Sequence, residues 1–451
     1  MLNLDLKTDV LIVGAGPAGV SLAINLGKRN IPCILLDQKK RSDVGYKPCG
    51  DALSPNSTRK LFELSGIQQP KGEEIGEDLE SAHFKPVLDF ELWIPFVSQT
   101  IHRLKYGQRL LESLVDYSSV EFKPKHKVIG TILKNNKVVG CNVRTDTGDK
   151  IKIYAKIVAD CSGATGIVRR NIPEEVSDKF PKKLQKKETI VSYREIIETS
   201  EPHEYQKQMR IETHDELPPP GYFWIFSKGE KLLNIGCGWL INDSNKEYST
   251  KKVLETLRNK FFPGVKVVDG AGDTLPGRLP LYSMVTDGFI TCGDAAALVN
   301  PISGEGHGPA LLSGFYAAEK IELAIRRENY CEEELWDYNV KIWKTYGYEG
   351  ALGIAVHKLL NAVPFSDFSY LFEKEIISQS DVDAIMGSTS VKLPIFQKIW
   401  KGMRKPKLLI KVARGLMLAE KIKKISNKYP ETPEKFERWV RKIKRIERKN
   451  L

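Results

Sequence analysis

The sequence predicts an α/β fold of two domains: a Rossmann-like doubly wound domain, a second domain on an antiparallel sheet, and a helical C-terminal region. Three observations predict it. Residues Asp9 to Asp37 read as strand, glycine turn, helix and strand. Residues 171–280 carry a strand pattern whose clearest piece is Tyr222-Phe223-Trp224-Ile225-Phe226, followed by Gly236-Cys237-Gly238. Two amphipathic helical patterns close the chain, one through Leu409, Val412, Leu416 and Ile422, the other through Phe436, Trp439, Val440, Ile443 and Ile446. At 451 residues the chain is too long for one simple core, and two domains follow. Residues 1–55, 101–170 and 281–330 are expected to form a discontinuous nucleotide-binding domain. Residues 56–100 and 171–280 are assigned to a substrate domain, and 331–451 to the helical region.

The first unit is the most specific. Val10 to Val13 is a short apolar run that enters Gly14-Ala15-Gly16-Pro17-Ala18-Gly19 and then the helical pattern Leu22, Ala23, Leu26. A second apolar run, Cys33 to Leu36, ends on Asp37, 18 residues after Gly19. This is a dinucleotide fingerprint in its proper βαβ context. Gly14 permits the tight turn, Gly16 lets backbone approach a pyrophosphate, and Gly19, beside Ala18, lets helix pack on strand. The helix N-terminus offers unpaired N–H groups to the phosphates, and Asp37 is placed for a ribose diol. A fingerprint so near the N-terminus is the habit of proteins with a permanent FAD. Only one fingerprint is present, so FAD is expected to be tightly held and the reductant, NAD(P)H or a ferredoxin-like protein, to visit transiently.

Composition narrows the class. Hydrophobic content is 41% with 28% charged residues, and no run of 18 uncharged apolar residues exists, so no transmembrane helix is expected. Residues 1–8 lack the basic and apolar regions of a signal peptide, which makes a cytoplasmic location the expectation. The seven cysteines are scattered without a CxxC pair, so neither structural zinc nor an iron–sulfur cluster is expected, while one disulfide stays open. Net charge is +12, but residues 398–451 alone hold 19 Lys/Arg and 5 Asp/Glu, a net of +14, leaving −2 for the other 397 residues.

Between these landmarks, Lys47-Pro48-Cys49-Gly50-Asp51-Ala52 reads as a loop. In a doubly wound sheet it can return to the carboxyl edge, where a flavin ring would lie. Residues 56–100 read as loop-rich, with acids at Glu73, Glu74, Glu77 and Asp78. Ile101-His102-Arg103 begins a helix, and Glu121 to Val143 forms a hairpin around Lys134-Asn135-Asn136-Lys137. Gly288 to Cys292 is the last sheet strand, feeding Gly293-Asp294 and then Asn300 to Gly308 before a long helix from Ala310 to about Arg327. Tyr222, Trp224 and Phe226 share one face of a strand.

The K-P-C-G-D run resembles that of the geranylgeranyl reductase family, within the flavoprotein superfamily that also contains aromatic hydroxylases. The aromatic strand and Gly236-Cys237-Gly238 resemble the family's YxWxF(P)…GxG motif, with Ser227 where proline is usual. Gly293-Asp294 resembles the superfamily's second flavin motif. The resemblance covers roughly residues 7–330 and implies an aromatic-hydroxylase-type FAD domain. It implies that Cys49, Gly50 and Ala52 line the flavin, that Arg103 contacts its side of the cofactor, and that Val128 packs on adenine through its backbone. Asp294 would bind ribityl hydroxyls. The helix N-terminus at Gly306 and His307 would face the pyrimidine edge of the ring, His307 as a backbone contact. Tyr222, Trp224, Phe226, Gly236 and Gly238 would line a lipid cavity, since alkene faces pack well on aromatic rings. Ser162-Gly163 replaces the Asp-Gly pair of the hydroxylases, which argues against hydroxylation.

The function implied is FAD-dependent saturation of isolated C=C bonds in geranylgeranyl chains, by hydride from reduced flavin N5 plus a proton. Archaeal members act on membrane ether lipids, plant and bacterial members on chlorophyll side chains; the Lys-rich composition and basic tail point to the archaeal lipid. Cys49 is the candidate proton donor or shaper of the site, although a thiol of pKa about 8.5 is a weak acid for an alkene. The alternatives are a flavin-dependent monooxygenase and a prenyl-lipid binding protein with structural FAD. A nucleic-acid partner is not expected, because the basic tail lacks stacking or base-reading motifs. Residues 398–451, with Trp400 and Trp439, are expected instead to hold the protein peripherally on anionic membrane.

Overall fold

The computed structural model describes residues 5–53, 59, 62–87, 90–301, 303–363, 365–376 and 404–448. The chain opens with β1 (Leu6–Val13), α1 (Pro17–Gly27) and β2 (Cys33–Leu36). A first excursion adds β3 (Ala52–Leu53), β4 (Ile75–Val87) and β5 (Phe90–Ile101), and α2 (Arg103–Glu112) returns from it. Then follow β6 (Val120–Lys123), β7 (Lys127–Lys134), β8 (Lys137–Arg144) and β9 (Lys150–Asp160). The second excursion holds β10 (Thr189–Glu198), β11 (Gln208–Glu212), β12 (Tyr222–Ser227), β13 (Leu232–Leu240), α3 (Thr250–Phe261) and β14 (Lys266–Pro276). Finally come β15 (Val285–Thr286), β16 (Phe289–Thr291) and α4 (His307–Arg326).

The first sheet runs β15-β16-β9-β1-β2-β6, with β8 and β7 appended to β9. Its central pairs β16–β9, β9–β1, β1–β2 and β2–β6 are parallel. Val10 to Val13 and Cys33 to Leu36 are buried throughout, the continuous apolar reading expected of strands covered on both faces. α1 and α4 pack closely together: a Cβ on Gly314 would lie 2.3 Å from the Ala18 carbonyl oxygen, and Ser21 Oγ donates to Leu311 O at 2.6 Å. The β7–β8 hairpin turns on Asn135 and Asn136, both at positive φ, as a two-residue hairpin of matching twist requires.

The second sheet runs β14-β10-β13-β12-β11-β4-β5-β3 and is antiparallel except where β11 meets β4. Within residues 56–100, expected to be loop-rich, the part from Ile75 onward is instead largely the hairpin β4–β5. Of the acids that signalled a loop, Glu73 and the buried Glu74 precede β4, while Glu77 and Asp78 lie on it; Asp78 and Glu80 are exposed, whereas Leu79 and Ser81 between and beside them are buried. That is strand alternation carried by charges.

The helical region comprises α5 (Glu332–Leu335), α6 (Asp337–Ala362), α7 (Phe365–Glu373), α8 (Pro406–Ser426) and α9 (Phe436–Glu447). Its packing corrects one expectation. Trp439 is not at a lipid boundary but 5% exposed, with Phe436, Val440 and Ile443 also buried. Trp439 meets Trp343 and Tyr429 with ring centroids 4.8 and 4.7 Å apart, and its indole N–H donates to Ile425 O. Trp343 donates in turn to Leu281 O at 3.0 Å, tying the helices to the first domain. The apolar stripe of α9 is therefore spent on the interior; Trp400 lies outside the described residues. Among the described residues no helix is long and apolar enough to cross a membrane. All seven cysteines are free thiols.

Candidate active site

The glycine turn after β1 builds a cradle at the carboxyl edge of the first sheet. Gly14 has φ +104°, and a Cβ there would lie 2.4 Å from the Cys161 carbonyl oxygen. A Cβ on Gly19 would lie 1.9 Å from Gly14 O, so helix and turn touch backbone to backbone. Gly16 is different: a Cβ there meets nothing within 4 Å. The protein leaves open the space above Gly16 that a pyrophosphate needs, at the N-terminus of α1. Ala18 is buried. Asp37 is held by two backbone N–H groups, Ala15 to Oδ2 and Lys39 to Oδ1, both at 2.8 Å. Each oxygen keeps a lone pair for a diol. The β6–β7 connection lies alongside, with His126 N donating to Asp37 O, which brings Val128 near. The Val128 side chain is buried in the core, so only its backbone is available to a ligand.

At the other end of the cradle, α4 begins at His307 with Gly306 as its N-cap. His307 is 8% exposed, and neither ring nitrogen has a partner. Burial first, then the nearby Arg103 and Lys47, hold its pKa well below the ordinary value, so the ring is neutral. Asp294 is almost fully buried and receives Lys47 Nζ at 2.5 Å. Burial alone would lower the Lys47 pKa, but Asp294 and then Asp273 outweigh it and raise it. A Cβ on Gly306 would lie 3.1 Å from Asp294 Oδ1, so this carboxylate and the start of α4 are in contact. Open space above Gly16, an anchored Asp37 and an unpartnered buried imidazole fit a cofactor that carries a pyrophosphate, a ribose and a polar ring.

Cys49 joins this end to the second sheet. Arg103, the first residue of α2, points Nη1 at Cys49 Sγ, 3.4 Å away. Cys49 Sγ donates to Asp51 Oδ1 at 3.0 Å and accepts from Asp51 N at 3.3 Å. Burial, then the Asp51 carboxylate, push the thiol pKa up to about 11 against the opposing pull of Arg103. The thiol therefore stays protonated at neutral pH. Gly50 carries the loop onto the aromatic strand: a Cβ there would lie 2.6 Å from Phe226 Cε2. Ala52 then enters the second sheet opposite Thr100.

Tyr222, Trp224 and Phe226 form a continuous row, with ring centroids 6.0 and 6.3 Å apart. Gly236 makes room for it, since a Cβ would lie 2.1 Å from Trp224 Cζ2 on the paired strand. A Cβ on Gly238 would lie 3.0 Å from Val191 O, so this glycine lets backbone pack close. The intervening Phe223 and Ile225 face the opposite side, in the core with Leu254 and Leu257 of α3. The row runs from Gly304, whose Cβ position is 3.6 Å from the Tyr222 hydroxyl, to Gly50. It thus spans the distance between the start of α4 and the Cys49 loop. An apolar cavity continues past Tyr222, lined by Ile190, Pro220, Pro301, Val356 and Leu360.

Two residues at this centre, Lys228 and Asn234, carried no recognised signal, and Asp51 stood out only as part of the K-P-C-G-D run. Asp51 Oδ2 accepts from Lys228 Nζ at 2.9 Å and from Asn234 Nδ2 at 3.1 Å. Asn234 Oδ1 accepts from Trp224 Nε1 at 2.9 Å. Lys228 and Asn234 sit beside the aromatic and glycine motifs, but nothing in their spacing points to a carboxylate far away in the chain.

The FAD binding domain family matches residues 7–186, and the geranylgeranyl reductase catalytic domain matches residues 188–272. The digeranylgeranylglycerophospholipid reductase of Sulfolobus acidocaldarius is 29% identical over 450 residues, 98% of either chain. That of Thermoplasma acidophilum is 25% identical over 404 residues, covering 86% of this chain and 96% of its own. Among solved structures, a geranylgeranyl bacteriochlorophyll reductase-like protein from Thermoplasma acidophilum superposes with a TM-score of 0.74 at 19% identity, covering 91% of this chain and 99% of its own. The flavin-dependent brominase Bmp2 shares the fold, with a TM-score of 0.65 at 18% identity over 84% of this chain and 94% of its own. The cofactor of this chain is FAD.

Proposed function

From a chain that binds FAD and whose residues 188–272 match the geranylgeranyl reductase catalytic domain, we infer a member of the geranylgeranyl reductase family, an oxidoreductase that saturates isolated C=C bonds in the geranylgeranyl chains of archaeal membrane lipid precursors. The observation that carries this reading is the aromatic row ending on Gly50, next to Cys49 and alongside the cofactor cradle. The names of the relatives support the substrate class.

In this proposal Gly14, Gly16, Ala18 and Gly19 hold the pyrophosphate of FAD, Asp37 its ribose, and Val128 its adenine through backbone. Asp294, Arg103, Gly306 and His307, with Cys49, Gly50 and Ala52, hold the ribityl and ring end. Reduced FAD supplies hydride; the chain's own residues supply everything else. Tyr222, Trp224 and Phe226 fix the apolar chain by ring contact and exclude water, which an isolated alkene cannot use as a partner. Cys49 holds a proton at Sγ, kept there by burial and by Asp51. With a pKa of about 11 it is a poor acid, so it serves as donor only to a carbon already gaining cationic character, and otherwise shapes the site.

Two finer points belong to the same proposal. The reductant is a transient visitor, NAD(P)H or a ferredoxin-like protein. Docking on anionic membrane falls to α8, where exposed Lys407, Ile410, Arg414, Met417, Lys421 and Lys424 recur at helical spacing on one face. Cationic and apolar side chains in one stripe suit a headgroup layer.

The test is anaerobic turnover of the chemically reduced holoenzyme with a geranylgeranyl lipid, read by mass. Each bond saturated adds about two mass units, a hydride and a proton. Cys49→Ser should retain FAD and slow saturation. An oxygen-dependent, oxygenated product would establish a monooxygenase, and a bound lipid of unchanged mass would establish a carrier.

A further inference from the structure

We propose that Asp51 is a positioning residue for Cys49: its carboxylate holds the thiol in one orientation at the ring end of the site, and Lys228 and Asn234 hold the carboxylate. This rests on the reading that Cys49 works at that site. Three independent features converge on it.

The first is the backbone. Asp51 has φ +62°, a region that side chains other than glycine rarely adopt. Glycine would suit the turn better, yet the conformation is what folds Asp51 back over Cys49. Its N–H reaches Sγ at 3.3 Å while its Oδ1 accepts from the same sulfur at 3.0 Å. The thiol is gripped from both sides by one residue.

The second is burial of opposite charge. The side chains of Asp51 and Lys228 are 6% and 4% exposed, 2.9 Å apart. Lys228 also donates to Ile101 O at 2.7 Å. A buried ion pair recovers its desolvation cost only when fully hydrogen-bonded, and an apolar pair of similar size often serves stability as well. Here both partners are satisfied and rigid, which suits a fixed carboxylate better than it suits mere packing.

The third is the link to the substrate wall. Asn234 donates Nδ2 to both Cys49 O (2.8 Å) and Asp51 Oδ2 (3.1 Å), and accepts Trp224 Nε1 on Oδ1. The indole that would pack on the lipid and the thiol at the ring end are thus set by one amide. Other charges face this group: Arg103 from α2 at 3.4 Å from the sulfur, Arg194 from β10, felt by Asp51, and His102, whose pKa is lowered by burial and then by Lys228. Removal of the Asp51 charge leaves the opposing pull of Arg103 on the thiol, and thiolate becomes easier to form.

The experiment uses FAD-loaded enzyme in a Cys331→Ser background, because Cys331 is the other half-buried thiol. Iodoacetamide labelling of Cys49 is followed by peptide mass against pH, beside anaerobic turnover. Asp51→Asn should keep FAD and move the labelling curve at least about one pH unit lower, about tenfold faster labelling at about pH 8. Its kcat should fall with KM little changed, and Asp51→Glu should recover part of both. If Asp51→Asn fails to load FAD, Asp51→Asn with Lys228→Met removes both buried charges and should show the same displacement. A curve that superimposes on the parent's in an FAD-loaded variant overturns the proposal. Labelling needs no lipid, so this failure is distinct from a parent enzyme that saturates nothing, which would overturn the functional reading instead.

Discussion

Gly236→Ala tests the aromatic wall most directly. The added Cβ would lie 2.1 Å from Cζ2 and 2.5 Å from Cε2 of Trp224. Both atoms belong to the indole, which is itself fixed by Nε1 donating to Asn234 Oδ1 at 2.9 Å. Because Trp224 and Gly236 are paired across β12 and β13, neither strand can retreat without breaking ladder bonds, so the indole must swing away. Overpacking of this kind costs about 1–3 kcal/mol, and the lost hydrogen bond about 1 kcal/mol. Relief of glycine's backbone entropy returns roughly 0.5–1 kcal/mol. The net is a destabilisation of about 2 kcal/mol, combining the same packing and hydrogen-bond effects. Denaturant unfolding at saturating FAD reads it as a lower midpoint with unchanged slope. Turnover should fall further than stability implies, because Asn234 also holds Cys49 O and Asp51. Trp224→Leu in the same chain removes the clashing ring, so the two changes should be strongly non-additive. A Gly236→Ala variant with the parent's midpoint and turnover would refute the packing argument.

Other expectations follow from single features. Gly16→Ala meets no protein atom within 4 Å, so the apoprotein should melt unchanged while FAD binding weakens at least about tenfold, roughly 1.4 kcal/mol, by fluorescence titration. Glu305, beside the start of α4, has its pKa raised to about 7 from 4.5 by burial and then by Glu349. A raised carboxyl contributes stability that is whole below about pH 4.5 and lost as pH rises through about 7. Glu305→Gln should therefore flatten the decline in thermal midpoint across that window, and an unchanged slope would exclude Glu305 as its source. Replacing Ile410 and Met417 by Ser, with Arg414→Gln, should reduce salt-sensitive cosedimentation with anionic vesicles while FAD stays bound. Equal sedimentation would reduce α8 to a solvated face. Truncation of the tail is the wrong perturbation, since it would strip Trp439 from Trp343 and Tyr429.

What could be read in advance was what local backbone geometry dictates. The βαβ fingerprint carries its own strand, turn and helix within Asp9 to Asp37, and its glycines are demanded by contacts only a few residues wide, so the cofactor class followed from residue order. The aromatic row was visible for the same reason: a strand repeats every two residues, and Tyr222, Trp224 and Phe226 must share a face. Two expectations were undone by the ambiguity of polarity. Acids marked 56–100 as loop-rich, although alternating charge on one face of a hairpin looks much the same. The amphipathic stripe of α9 announced an apolar partner but not which one, and the partner is the Trp343–Tyr429 cluster rather than lipid. The Asp51–Lys228–Asn234 centre lay beyond sequence reasoning altogether. Lys228 and Asn234 are 177 and 183 residues from Asp51, and a buried charge finds its counter-ion because the fold brings the start of β3 to β12 and β13 of the same sheet, an event with no periodicity in any of these strands. The order of residues by itself determined a flavin-binding α/β chain with an aromatic wall. Only the tertiary structure decided that the wall, the thiol and a buried ion pair share one hydrogen-bonded network, because long-range electrostatics depends on which loops the fold brings together and not on how residues are spaced along the chain.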